Sequence, residues 1–267
     1  FIPGGEAAGS VLAVGEGVKG FAVGDRVACT MLHGAFAEKI VVPELSAVKL
    51  PEAVSFEVGA ATLLTYLTTL HALVDRASIE PGDVLLVLGA AGGVGSAAIE
   101  LGKLLGATVI AAAGSAAKLE YCRERGADAT IDYTKEDLKE RTKELTRGAG
   151  ADIVFDAVGG PYSEPALRAM AWQGRHLVVG FAAGEIPKIP LNLTLLKGCE
   201  IVGVFWGSFA MRQPAKNHAH GERILAWVAE GKLHPHIDGV YPFERAAEAL
   251  LRMERREVRG KLVLVPG

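Results

Sequence analysis

Three glycines, each separated by two residues, stand in the stretch LGAAGGVGSAAIELGKLLGA: Gly89, Gly92 and Gly95. An apolar run, DVLLVLG, leads into them and an amphipathic stretch follows. That setting is what a phosphate cradle needs. The first glycine closes a strand in a tight turn, the second lets phosphates approach the backbone, and the third lets the following helix sit close on the sheet. A helix start adds unpaired amides and the positive end of its dipole, which favours an anion by about 0.3–1 kcal/mol. The triplet reads GxxGxxG rather than GxGxxG, so its spacing alone also suits a tight turn without a ligand. Its place inside a strand–turn–helix–strand unit selects the pyrophosphate of a dinucleotide.

About twenty residues further on, a site for a free ribose carries a carboxylate at the end of the second strand. Here AAAGSAAK puts Gly114 and Ser115 in that position, with Lys118 three residues later. A carboxylate would repel a 2′-phosphate, whereas a hydroxyl and an ammonium attract it, each charge-assisted bond contributing about 1.5–3 kcal/mol. The pattern predicts NADPH in preference to NADH. Ser115 is equally placed to cap the next helix and Lys118 to lie in solvent; capping and phosphate binding use the same hydroxyl position and are compatible.

Positioning these groups requires a parallel sheet. DVLLVLG is apolar throughout, as in a strand buried on both faces. Val94, Ala97, Ala98, Leu101, Leu104 and Leu105 recur at three and four residues and predict one helical stripe after the turn. ATVIAAA, ATID, ADIVFDAVG, HLVVGF and EIVGVFW supply five more strands, among them the helical stretches SAAKLEYCRER and TKEDLKERTKELTR. Thr134 and Asp137 are expected to open the latter as a capping box, aspartate replacing glutamate. Such alternation predicts right-handed crossovers and an α/β, doubly wound parallel sheet. Upstream, the helical SFEVGAATLLTYLTTLHALVDRASIE links this sheet to short glycine-punctuated runs, GSVLAVGEGV, GDRVACTML and AFAEKIVVP, expected to form a small antiparallel unit. The tail reads strand, helix, strand, with GKLVLV expected to return to that first unit.

Bulk composition narrows the function. The chain has 267 residues, half of them hydrophobic, and a formal net charge of -3. A sizeable core is available without staples. No basic face is offered to nucleic acid and no like-charge run to an anionic membrane, so the expected partner is a small molecule. Cys29, Cys122 and Cys199 lie far apart without a CxxC pair, which fits a reduced, cytoplasmic setting. No basic-then-apolar leader is read, nor an apolar run of about 18 residues to span a membrane. The opening FIPGGEAAG, without Met and already inside a β structure, is expected to follow a missing N-terminal segment.

Together VLVLGAAGGVG, AAAGSAAKLE, GADATIDYTKED, DIVFDAVGG, LVVGFAAGEIPKIPLNLTLLKG and VGVFWGSF resemble the zinc-independent, quinone-reductase-like branch of the medium-chain dehydrogenases, the family of zeta-crystallin. The resemblance covers essentially the whole chain. IPGGEAAG and GVKGFAVGDRV resemble the family's GroES-like catalytic domain, here incomplete at its start. The implied organisation is a partial GroES-like domain over 1–62, a Rossmann NADPH-binding domain over 63–206 and a return segment over 207–267. Carried over residue by residue, the resemblance implies that Ala91, Gly92, Gly93 and Val94 lie under the pyrophosphate and that Ser115, Lys118 and Tyr133 hold the 2′-phosphate. It further implies that Gly180, Phe181, Phe205, Trp206 and Gly207 edge the nicotinamide pocket, and that Thr68 and Lys261 lie near the cofactor. As residues alone, Tyr133 is an ordinary loop aromatic, and the strand-end group containing Phe205 is equally core packing.

The same resemblance implies that no metal is held. Where zinc-dependent relatives carry GHE this chain has Gly4, Gly5 and Glu6, and CTMLHGAFAEK stands where alcohol dehydrogenases place a cysteine-rich lobe. His218 with His220, and His234 with His236, are two apart with no third ligand in view, so surface histidine is the expected role. Without zinc, a plain alcohol has no evident stabiliser for its alkoxide. A quinone or enone already has an electron-poor acceptor, and needs only hydrogen-bond donors and a proton when hydride arrives. No side chain is assigned as that proton donor; Tyr66 is expected to be buried in its helix. None of the five tyrosines has lysine four residues on, which speaks against a short-chain reductase. An enoyl-thioester reductase of the same fold and a non-catalytic NADPH-binding protein stay open. The unpaired edge strand at EIVGVFW is expected to pair in a homodimer.

Overall fold

Short runs between glycines build the first sheet. In the computed structural model, which describes residues 1–267, β1 (Glu6–Ser10), β2 (Arg26–Thr30) and β3 (Ala47–Lys49) pair antiparallel in that order. AFAEKIVVP forms no strand, contrary to expectation. The amides of Ala35 and Phe36 bond to the carbonyls of Gly4 and Pro3 instead of to a neighbouring ladder. Helix α1 (Phe56–Leu70) continues as a π turn over His71–Arg76. By length and composition Phe56–Arg76 could cross a membrane, contrary to the expectation that no such run is present; 67% of its apolar window is buried in the protein, as in a core helix.

The parallel sheet follows: β4 (Val84–Leu88), α2 (Gly93–Leu104), β5 (Thr108–Ala113), α3 (Ala116–Glu124), β6 (Ala129–Asp132), α4 (Leu138–Leu145), β7 (Ala151–Asp156), α5 (Ser163–Ala169), β8 (Met170–Val178), α6 (Asn192–Lys197) and β9 (Glu200–Gly203). All six strands are parallel, in the order β6-β5-β4-β7-β8-β9. Leu86 lies opposite Ile110 and Val154, and all three enter one core with Leu138, Leu167 and Met170. One residue on, Val87 lies opposite Ala111 and Phe155, on the other face and equally buried. Burial on both faces is why these strands read as unbroken apolar runs. Each fully buried Val, Leu or Phe contributes about 1.5–3 kcal/mol.

Helix α4 begins later than expected. Asp137, not Thr134, is its N-cap, accepting the Glu140 amide at 2.9 Å. Thr134 is engaged elsewhere: its hydroxyl donates to Asp132 Oδ1 at 2.5 Å. After α7 (Trp206–Arg212) and α8 (Pro214–Ala229) come β10 (Ile237–Pro242), α9 (Ala246–Glu254) and β11 (Lys261–Val265). GKLVLV forms β11, which pairs parallel with β10 in a sheet of its own and not with β1–β3. The chain divides into two units, Phe1–Leu67 with Gly207–Gly267, and Thr68–Trp206.

Candidate cofactor site

Six parallel strands place the loops that follow them along one edge of the Thr68–Trp206 unit. Along the strand order these are Tyr133 after β6, Gly114 and Ser115 after β5, the glycine turn after β4, residues 157–160 after β7, Gly180 and Phe181 beyond β8, and Phe205 and Trp206 beyond β9. The chain winds outward from β4 through β5 to β6, then returns to β7 on the other side of β4. Ligands of open α/β sheets bind at such a reversal, outside the carboxyl ends of the strands.

Sterics account for the glycines. Gly89 has φ +66, a left-handed conformation that side chains rarely adopt, and a Cβ there would lie 2.8 Å from Val158 Cγ2. A Cβ on Gly95 would lie 2.3 Å from the Gly89 carbonyl oxygen. The helix therefore rests directly on its own turn. Gly92 is the N-cap of α2 and supplies no side chain to its amides. Behind it Gly93 and Val94 open the helix, where no preceding carbonyl can accept their N–H groups. Ala91 is buried beneath the turn. A Cβ on Gly92 would meet protein only at 3.4 Å, so the space before these amides is open to a ligand. The residues fit an anionic dinucleotide.

At the β5 and β6 end, Ser115 caps α3 and accepts the Lys118 amide at 3.4 Å. Both side chains are half-buried, as is Tyr133. Tyr133 is seated by its neighbours: a Cβ on Gly114 would come within 3.2 Å of its ring, and Tyr162 packs on it with ring centroids 4.4 Å apart. Asp132 orders the turn, accepting from the Thr134 amide and hydroxyl. Those bonds hold its carboxyl below the usual carboxylate range. Asp132 ends β6; the position after β5 is taken by Gly114 and Ser115, not by a carboxylate.

At the β8 and β9 end, Phe181 is 42% exposed and Phe205 75%, so core packing does not account for either. Trp206 is half-buried. Thr68 is half-buried on α1, and it is the next residue, Thr69, whose hydroxyl reaches the glycine turn, donating to the Val94 carbonyl at 3.2 Å. Gly207 and Lys261 belong to the other unit. There the Lys261 ammonium pairs with Glu6 Oε1, while Glu6 Oε2 accepts the Leu64 amide at 2.9 Å. Tyr66 is buried. The paired histidines are not gathered: His218 approaches Glu222, and His236 lies before β10, near Asp238. No group of three or more His, Cys, Asp or Glu is assembled for a metal ion. No thiol is poised as a nucleophile. Burial pushes Cys29 up to about 11 and Cys122 up to about 12, and raises Cys199 too.

Sequence reasoning missed Asp156. Its carboxylate accepts the amides of Val158 and Gly159, at 2.9 and 2.8 Å. An aspartate followed three and four residues later by glycines is an Asx-turn signal, legible in FDAVGG. It also missed Tyr162 and Thr69, for which no local signal exists.

Two family descriptions match the chain: the alcohol dehydrogenase GroES-like domain over residues 1–52 and the zinc-binding dehydrogenase over residues 93–219. Quinone oxidoreductase-like protein 2 homolog of Nematostella vectensis is 38% identical, covering 99% of this chain and 73% of that protein. A quinone oxidoreductase of Pseudomonas aeruginosa is 35% identical, covering 98% of this chain and 81% of that protein. The crystal structure of Escherichia coli quinone oxidoreductase complexed with NADPH superposes with a TM-score of 0.91 at 31% identity, over 99% of this chain and 82% of that one. The chain belongs to the medium-chain dehydrogenase/reductase superfamily, a GroES-like domain joined to a Rossmann domain. Within it the protein is an oxidoreductase of the quinone-oxidoreductase-like type.

Proposed function

We propose that this chain is an NADPH-dependent reductase that passes hydride to quinones or other electron-poor alkenes and enones, without zinc. One observation carries the reading: an uncapped glycine turn at the sheet's reversal point, with Ser115 and Lys118 where a carboxylate would select NADH. The NADPH-bound Escherichia coli relative supports the cofactor. When bound, NADPH supplies a hydride from C4 of its nicotinamide. The helix amides of Gly93 and Val94 hold the pyrophosphate, with Gly92 leaving room for it and Ala91 buried below. Ser115, Lys118 and Tyr133 receive the 2′-phosphate. Gly180, Phe181, Phe205 and Trp206 wall the nicotinamide end. Thr68, Gly207 and Lys261 are assigned to the cofactor on resemblance alone. A quinone takes up the hydride and one proton to become the hydroquinone, so the site needs hydrogen-bond donors and no Lewis acid.

Zinc independence is supported by Glu6, whose two oxygens are engaged by Lys261 and the Leu64 amide, and by the raised Cys29 thiol. The domain limits 1–62, 63–206 and 207–267, a cytoplasmic location and a homodimer through the open edge of β9 belong to the same proposal, as does the lack of nucleic-acid and membrane partners. Three free, buried cysteines support the reducing compartment.

The test is loss of 340 nm absorbance when NADPH meets a panel of quinones, enones and enoyl thioesters, phenanthrenequinone among them. Turnover with quinones or enones is expected. Turnover with enoyl thioesters alone would move the assignment to that reductase class, and NADPH binding with no turnover would leave a binding protein.

A further inference from the structure

Beyond the glycine turn, the Thr68–Trp206 unit contains a second set of chemistry-bearing residues. Asp156, Ser163 and His176 are 3%, 2% and 2% exposed and meet side by side. Ser163 Oγ donates to Asp156 Oδ2 at 2.5 Å, and His176 Nε2 lies 3.2 Å from the same oxygen. Serine, histidine and aspartate in contact invite comparison with a nucleophilic triad, but the geometry is wrong for one. Serine and histidine both bond to the aspartate and not to each other, so the histidine is not placed to take the serine proton as it would in a triad. His176 Nδ1 has no partner. Nε2 is the ring nitrogen that faces the carboxylate, and Nδ1 is the one left unpaired.

What the cluster does is visible from the other carboxylate oxygen. Asp156 Oδ1 accepts the amides of Val158 and Gly159 and so fixes the turn after β7. Burial alone would raise this carboxyl. The bonds from His176, the Gly159 amide and Ser163 outweigh that, and Asp156 is held below the usual carboxylate range. The carbonyls of the fixed turn carry the loop beyond β8. Asp156 O accepts the amides of Val179 and Gly180, Ala157 O accepts Ala182, Val158 O accepts Ala183, and the Gly160 amide donates to Glu185 O. Gly159 has φ +68, and a Cβ there would lie 2.8 Å from Phe181 Cδ1, so the Phe181 ring rests on bare backbone. On its other side the turn abuts Gly89 through Val158.

We infer that Asp156, anchored by Ser163 and His176, is a positioning residue that sets the Gly180–Phe181 loop for the nicotinamide half of the cofactor. The inference rests on the NADPH reading above and goes beyond it in separating the two ends of the site. Loss of the carboxylate frees the Val158 and Gly159 amides and lets the zipped loop shift, while Ser115 and Lys118 keep the α3 N-terminus that supports them.

The experiment measures dissociation constants of NADPH and of 2′,5′-ADP, which carries the adenosine end alone, for the unaltered chain and for Asp156→Ala, Asp156→Asn and Ser163→Ala. Asp156→Ala is expected to weaken NADPH at least about tenfold and 2′,5′-ADP by no more than about twofold. Asp156→Asn is expected to restore most of the loss, because an amide oxygen still accepts the two turn amides. Ser163→Ala removes one donor and leaves the turn bonded; about a threefold loss for NADPH alone is expected, and this variant carries the test if Asp156→Ala does not fold. Equal losses for both ligands, or none, would overturn the positioning role while leaving the NADPH reading intact. An unaltered chain that binds neither ligand would overturn both.

Discussion

Substituting Gly95 and Gly92 in turn separates what the glycine turn owes to folding from what it owes to a ligand. A Cβ on Gly95 would lie 2.3 Å from the Gly89 carbonyl oxygen, 2.7 Å from Ala90 Cα and 2.9 Å from the Ala90 carbonyl carbon. All three are backbone atoms, so no rotamer change relieves the overlap. Helix and turn must part by roughly 1 Å to approach the usual separation of about 3.5 Å. Overpacking of this kind costs about 1–3 kcal/mol, and rigid backbone neighbours put Gly95→Ala at the upper end. Alanine returns about 1 kcal/mol of helix propensity, which leaves a net loss of about 2 kcal/mol. For a chain of this length the expected fall in Tm is about 4–8 °C. Gly92 differs. Its φ of -79 and ψ of 173 suit any residue, and its Cβ would touch only one atom, at 3.4 Å. Gly92→Ala is expected to change stability by less than about 1 kcal/mol, as an N-cap exchange does. As the N-cap, Gly92 immediately precedes the amides of Gly93 and Val94, and an added methyl group is expected to lower NADPH binding at least about tenfold, or ~1.4 kcal/mol. Thermal melting and a fluorescence titration with NADPH read the two effects. A Gly95→Ala protein that melts within about 1 °C of its parent would refute the packing argument, and a Gly92→Ala protein that binds NADPH like its parent would refute the cradle.

Two further outcomes follow from the ends of the sheet. Lys118→Ala is expected to weaken NADPH by about tenfold to a hundredfold, the equivalent of one charge-assisted bond, and to change NADH by less than about twofold; equal losses for both would remove Lys118 from the 2′-phosphate. The open edge at β9, where Ile201 is 40% exposed, is expected to give a dimer mass at micromolar concentration and a monomer after Ile201→Lys. A monomer mass for the unaltered chain would dismiss that interface.

Much of the architecture was legible in the chain because its signals are local. Leu85–Leu88 read as a doubly buried strand, the stripe from Val94 to Leu104 as its helix, and the three glycines between them as the turn, all within about one βαβ unit. The gap after β5 was equally plain, since a missing carboxylate is a matter of composition at one position. Where expectation failed, a nearby competitor took over. Thr134 lost the N-cap of α4 to Asp137 because its hydroxyl served Asp132, and AFAEKIVVP lost its ladder to the carbonyls of Pro3 and Gly4.

The sequence by itself determined the alternation of strand and helix, the glycine turn between β4 and α2 and the absence of a carboxylate at Gly114 and Ser115 after β5. Tertiary structure alone decided which distant residues share a bond. It put β7 beside β4 so that Val158 meets Gly89, brought His176 to Asp156 across twenty residues, leaned Tyr162 on Tyr133, reached from Thr69 to Val94 and tied Lys261 to Glu6. Periodicity records which face of an element is buried, but the partner on that face is chosen by strand order and register, which arise only when all the apolar faces are buried together.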